Sequence, residues 1–234
     1  MRHFILELEG EHLEPFATFA RFHPLHHAFL QSGHDHGHFL FSGPQISPHG
    51  SLLAARAESW EVLEALLAEE PFAKAGKMRL KRVRQYDPVQ HQPLLKPWFA
   101  GAAAEEMVAS AAAIGSTAGQ THFLLEGEHI VPFERRAPEL IAAHRAFLQA
   151  GYDKGDFLLS GPTIPPKGGV LVARAASRAA LDAMLAEEPY CKAGVMRFSA
   201  VTAFHPVMHQ AALRHWRGGE GSMTPSQANR GASR

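Results

Sequence analysis

The stretch "LHHAFLQSG" at residues 25–33 returns, nearly unchanged, as "AHRAFLQAG" at 143–151. The same offset of 118 positions brings other words into register: "FLFSGP" (39–44) with "FLLSGP" (157–162), "LLAEEPFAKAG" (66–76) with "MLAEEPYCKAG" (184–194), and "PVQHQ" (88–92) with "PVMHQ" (206–210). Toward the start of each copy the register slips by one, so that "EGEHLEPF" (9–16) matches "EGEHIVPF" (126–133). A period this long exceeds any solenoid unit and makes each copy a domain-like module with its own layers. The modules span 1–92 and 120–213. Between them, 93–119 reads as a linker whose Ala-rich part forms a short helix, and the Gly/Ser/Arg-rich end, 214–234, reads as a disordered tail.

Within the first module, "FILELE" alternates as a strand does. Over 14–32 the residues Phe16, Phe19, Phe22, Leu25, Phe29 and Leu30 recur at three- and four-residue spacing, which predicts an amphipathic helix closed by Gly33. "HFLFSG" and "SLLAARA", separated by a turn, predict a hairpin; 59–68 predicts a helix capped by Ser59 and stopped by Pro71; "MRLKRVRQY" (78–86) predicts the last strand. The order βαββαβ is the ferredoxin-like arrangement, with both helices on one face of an antiparallel sheet. The other face needs a cover, and the second copy is on hand at high effective concentration. The expected fold is therefore α+β: two ferredoxin-like modules packed sheet to sheet as an intrachain pseudo-dimeric α+β barrel.

Composition narrows the function. Lys plus Arg and Asp plus Glu both number 23, so the chain has no charge excess with which to hold nucleic acid or an anionic membrane. No run reaches the length of a membrane span, the start lacks a signal-peptide pattern, and the lone Cys191 has no internal partner; the expected location is the cytoplasm. Phosphate-binding glycine loops, G-x-S-x-G and dinucleotide fingerprints are missing, so no cofactor is expected. The expected partner is a small-molecule ligand, with further self-association of the pseudo-dimer left open. His34, His36 and His38 in "HDHGH" offer imidazoles to a metal, but the counterpart "YDKGD" (152–156) has none, and a polar turn is the better reading. Arg56 and Arg174 recur near the end of the third strand and could hold an anionic substrate group, or simply sit at the surface; Ser42 and Ser160, before Gly-Pro, could line a cleft or serve the turn.

The words "HHAFL", "FSGP" and "EEPFAKAG", with their partners "HRAFL", "LSGP" and "EEPYCKAG", resemble the YciI-like (YCII-related) family: a helix-1 histidine, Gly-Pro after strand 2, and Asp-Pro-aromatic followed by Ala-Gly after helix 2. The resemblance covers roughly 3–92 and 121–210. It implies a dimeric α+β barrel with a His–Asp dyad in a cleft, in a family with one member that acts as a dehydrochlorinase of a chlorinated hydroxyquinol. Carried over by position, the dyad histidines are His26 and His144, while the aspartate's place is taken by Glu70 and Glu188, one methylene longer. Such a pair suits general acid–base chemistry of lyase, isomerase or hydrolase type on an aromatic, quinol-like or carbonyl substrate. The alternative is a non-catalytic ligand-binding or accessory module with the same duplicated cleft.

Overall fold

A computed structural model describes residues 1–10, 20–47, 50–102, 119–213 and 216. The first module runs β1 (Arg2–Gly10), α1 (His23–Asp35), β2 (Phe39–Ser47), β3 (Ser51–Ala57), α2 (Trp60–Ala68), α3 (Pro71–Lys74) and β4 (Met78–Tyr86). A short strand β5 (Gln90–His91) and a one-turn helix α4 (Lys96–Phe99) follow. The second module repeats the pattern as β6 (Thr121–His129), α5 (Pro138–Lys154), β7 (Phe157–Pro162), β8 (Gly168–Ala175), α6 (Arg178–Leu185), α7 (Pro189–Lys192) and β9 (Met196–Phe204), then β10 (Met208–His209).

Three local expectations change. The first helix begins only at His23, with Pro24 in its first turn; residues 14–19 of the expected span lie outside the described ones. Gly33 does not close that helix but sits buried inside it, where a Cβ would meet the Phe39 ring at 2.0 Å. Gly151 stands in the same relation to Phe157, at 2.1 Å, so glycine at this place lets helix and strand approach. The left-handed residues that follow the two helices are Gly37 and Gly155. Finally, Pro71 opens a helix as well as following one: α3 starts there, with Glu70 as its N-cap.

Each module forms a four-stranded antiparallel sheet, β4-β1-β3-β2 and β9-β6-β8-β7. The sheets join through β2 and β9, where Gln45 faces Phe204 and Ser47 faces Ala203, and through an isolated bridge from Tyr86 to Thr163. Alternation along the strands then fills three cores. Phe4, Leu6, Phe39 and Leu53 face the helices of the first module, and Phe123, Leu125, Phe157 and Leu171 face those of the second. Ile5, Phe41, Tyr86, Leu124, Leu159 and Phe204 meet between the sheets. The expected pseudo-dimeric barrel is the fold observed. Inside it, Arg84 of the first module reaches Glu7 at 3.3 Å and forks onto Glu126 of the second, a charged tie between the two sheets.

The segments after each fourth strand are exchanged. β5 pairs with β7 of the other module, and β10 pairs with β2. The Gln92 amide donates to the Tyr152 and Phe157 carbonyls at 2.7 and 2.8 Å, and Gln210 does the same to His34 and Phe39 at 2.6 and 2.7 Å. The repeated "PVxHQ" word is thus a clasp between modules. Beyond it the chain turns back: Trp98, expected in the linker, and Trp216, expected in the tail, are both fully buried, their indole N–H groups donating to Gly37 and Gly155 at 2.9 and 3.1 Å. The repeat therefore extends past residue 92. The expected Ala-rich helix lies outside the described residues, as do residues 217–234.

Candidate active site

Two copies of one pair stand on the helix side of the sheets. His26 Nδ1 lies 2.7 Å from Glu70 Oε1, and His144 Nδ1 lies 2.6 Å from Glu188 Oε1. The spacing in sequence is 44 residues in each case, which the fold closes by laying the one-turn helix α3 or α7 beside α1 or α5. Local chemistry aims the carboxylates. Each glutamate is an N-cap whose Oε2 accepts the backbone N–H three residues on, Ala73 at 2.8 Å and Cys191 at 2.7 Å, leaving Oε1 for the imidazole. Each glutamate thus serves as a cap as well as a partner.

Glu188 is buried, which raises its pKa, but hydrogen bonds from His144 and from the Tyr190 and Cys191 N–H groups outweigh burial and hold it below the ordinary carboxylate range. As an anion it can only accept, so Nδ1 of His144 carries the hydrogen and Nε2 of the neutral ring is left as an acceptor. The Tyr190 ring lies flat on His144, 3.9 Å between centroids and 6° between planes. The Arg136 guanidinium covers the Tyr190 ring at 4.5 Å and is held by two bonds to the Val131 carbonyl, at 2.7 and 3.1 Å. In the first module Phe72 takes the tyrosine's place, tilted 58° to His26 at 5.1 Å. Arg136 has its counterpart within residues 11–19, a stretch without Arg or Lys. The copies are thus unequal, and the second has a better-fixed imidazole.

His144 and Glu188 line a cavity of about 980 Å³. Ile130, Phe133, Phe147, Val170 and Phe198 give it an apolar body, while Val89 and Gln90, from the strap of the first module, supply part of its wall. A site in one module is thus completed by the other. An imidazole with one nitrogen fixed on a buried carboxylate and the other left to accept, on the wall of an apolar cavity, can take a proton from a bound molecule and return it.

Other expected site residues are placed as follows. Ser160 lines the cavity and accepts a 2.7 Å bond from the Tyr152 hydroxyl. Ser42, its counterpart, is buried 3.4 Å from Nε2 of His34. Arg56 and Arg174 are both buried, neither is among the residues lining this cavity, and each guanidinium donates to a main-chain carbonyl of its own module's returning arm. Arg56 holds Trp98 and Ala102, the latter at 2.6 Å, and Arg174 holds Trp216 at 2.8 Å. A buried guanidinium needs fixed acceptors, and those carbonyls supply them. His34, the first histidine of the metal-like word, is packed inside with Nδ1 on the Phe39 carbonyl at 3.1 Å. Among the described residues no group of three or more His, Cys, Asp or Glu could hold a metal ion. Burial, with a hydrogen bond and the charge of Glu188, pushes the Cys191 thiol up to about 12, so it is no nucleophile at neutral pH. His129, Arg136 and Tyr190 were not legible as site residues; only the repeated "EGEH" hinted at the first of them.

His34 also yields a measurable acid sensitivity. Burial, reinforced by the charge of His209, lowers its pKa from 6.5 to about 4. As pH falls through that window the unfolded chain takes up a proton that the folded protein refuses, so stability present above pH 6.5 is lost toward pH 4. The second module has Tyr152 at this place, its hydroxyl on Ser160. His34→Tyr should therefore reduce the stability lost between those two pH values by roughly 3 kcal/mol. Urea midpoints across the range measure this, and an unaltered slope would exclude His34 as the source.

Residues 122–205 match the profile of the YCII-related domain. No curated protein matches the sequence. Among solved structures, a mutant chlorite dismutase from Candidatus Nitrospira defluvii superposes with TM-score 0.58 at 10% identity, covering 92% of this chain and 94% of its own. A heme-binding protein from Thermus thermophilus does so with TM-score 0.56 at 12% identity, covering 87% and 90%. The 5-chloro-2-hydroxyhydroquinone dehydrochlorinase of Burkholderia phenoliruptrix aligns at 20% identity over 39% of this chain and 95% of its own, but at TM-score 0.29 it supports no argument. No helix among the described residues is long and apolar enough to cross a membrane. The fold is that of these two-module α+β proteins, and residues 122–205, most of the second module, match the YCII-related domain.

Proposed function

We propose that the second module carries out acid–base chemistry of lyase, isomerase or hydrolase type on a small quinol-like or carbonyl molecule, with His144 moving the proton and Glu188 setting its tautomer. The observation that carries this reading is the 2.6 Å His144–Glu188 bond on the wall of the cavity, which leaves Nε2 to accept. Proton transfer by a positioned group contributes about 10²–10⁴-fold. Against a panel of quinols, chlorinated phenols and enolisable carbonyl compounds, His144→Gln should cut turnover by that factor, and His26→Gln should cost much less. Equal turnover in parent and His144→Gln would remove the proposal.

A second reading is ligand capture without turnover. The cavity of about 980 Å³ is at the upper end for ligand pockets, large enough for more than one ring. His144 also meets what a metal-bound histidine requires, one nitrogen held by a carboxylate and the other left to ligate. A haem bound in this cavity would be held by His144. Titration with hemin decides it: a Soret shift in the parent that is lost in His144→Ala favours capture, and an unchanged hemin spectrum removes haem as the occupant.

A further inference from the structure

Beside the pair already described, the cavity wall holds a second imidazole. His129 ends β6, where its backbone faces Met196 of β9, and its side chain is half-buried among the cavity-lining residues. Its ring hydrogen-bonds to the Pro166 carbonyl, which fixes one nitrogen as the donor. His129 and His144 are close enough to feel one another's charge. The wall thus presents two imidazoles from different elements, a strand end and a helix, each with one nitrogen fixed on an acceptor of the protein. We propose that His129 is a second proton-transfer residue of this site, acting together with His144 on a substrate that loses a proton at carbon while gaining one at oxygen, the class to which enolisable carbonyl compounds and the keto forms of hydroxyquinols belong.

The environments divide the roles. Burial and the charge of Arg136 lower the pKa of His129, keeping it neutral and able to accept. His144 has Nδ1 on the Glu188 carboxylate, which leaves Nε2 as the nitrogen that exchanges a proton with a bound molecule. The remaining charges on the wall are Glu128, already paired with Arg197, together with Glu134, Arg145 and Lys167. In the forward step His129 takes the proton from the α carbon. The C–H electron pair becomes the new C=C bond, the carbonyl π pair moves onto oxygen, and His144, entering this step with a proton on Nε2 as well as Nδ1, delivers the Nε2 proton there. His129 leaves the step as imidazolium and His144 as neutral imidazole; His129 then gives its proton to another carbon while His144 takes back the proton on oxygen, which resets both. No oxidant or reductant enters. The first module repeats the histidine as His12 within "EGEH", at a position outside the described residues.

This inference rests on the acid–base reading above, and the test separates the two. The full chain, His129→Ala and His144→Gln are assayed over pH on the same panel. His129→Ala should lower kcat about 100-fold, with KM within a few-fold of the parent, and should abolish the acidic limb of the kcat/KM profile. Added imidazole should restore part of kcat, which a merely structural histidine would not allow. If the parent turns over and His144→Gln does not, while His129→Ala keeps its rate and its acidic limb, His129 is no proton carrier and the reading of His144 survives. If His129→Ala melts far below the parent, His129→Asn replaces it, with the same rate loss expected. A parent inert on the whole panel overturns both readings together.

Discussion

Replacing Glu188 with alanine is expected to cost activity and stability at once. The carboxylate makes three contacts at once: Oε1 accepts from His144, and Oε2 caps α7 through the Cys191 N–H, with the Tyr190 N–H adding to the same anion. Without it the His144 ring loses the partner that fixes its tautomer, and turnover should fall by about 10²–10⁴-fold. The lost cap and the donor left unpaired should cost about 2–3 kcal/mol, which for a chain of this size lowers Tm by about 4–10 °C. Glu188→Gln divides the two effects. Its amide oxygen can still cap the helix, so Tm should stay near the parent value, while the missing negative charge still lowers kcat. Activity that survives Glu188→Ala would show that the carboxylate serves only the fold.

The second large effect is expected far from the cavity. Trp98 is fully buried, donates to the Gly37 carbonyl, packs against His3 and Phe99, and lies under the Arg56 guanidinium at 5.2 Å. Trp98→Ala removes this packing and leaves Arg56, a buried charge, without the ring it stacks on. The cost of such a truncation is about 3–5 kcal/mol, so Tm should fall by about 6–20 °C. Trp216→Ala should cost a similar amount, since that indole repeats the contacts through Gly155 and Arg174. A change below about 0.5 kcal/mol, normal for an exposed linker residue, would mean that the returning arms do not belong to the modules.

These two residues mark the boundary between what the chain spells out and what folding adds. Glu188 was legible because its word, "EEPYCKAG", stands in a repeat and in a family pattern, so that its pairing with a histidine 44 residues away could be expected by position. Trp98 was not: its partners Gly37 and Arg56 are 61 and 42 residues off, and no periodicity of the segment "PLLKPW" announces them. The carbonyl partners of Arg56 and Arg174 were hidden for the same reason. Their recurrence signals a role, but whether a guanidinium meets a ligand or a carbonyl depends on which distant segment fills the space before it.

The duplication, the βαββαβ order and the sheet-to-sheet barrel follow from the sequence alone, because local periodicity decides strands and helices, and a sheet with two apolar faces must cover both. Tertiary structure alone decided the exchange of the two straps, the inequality of the two His–Glu pairs, and the gathering of His129, Arg136 and Tyr190 around His144. Those outcomes depend on contacts between residues far apart in the chain, where burial and hydrogen-bond satisfaction, summed over the whole molecule, select one arrangement from many that the local pattern permits.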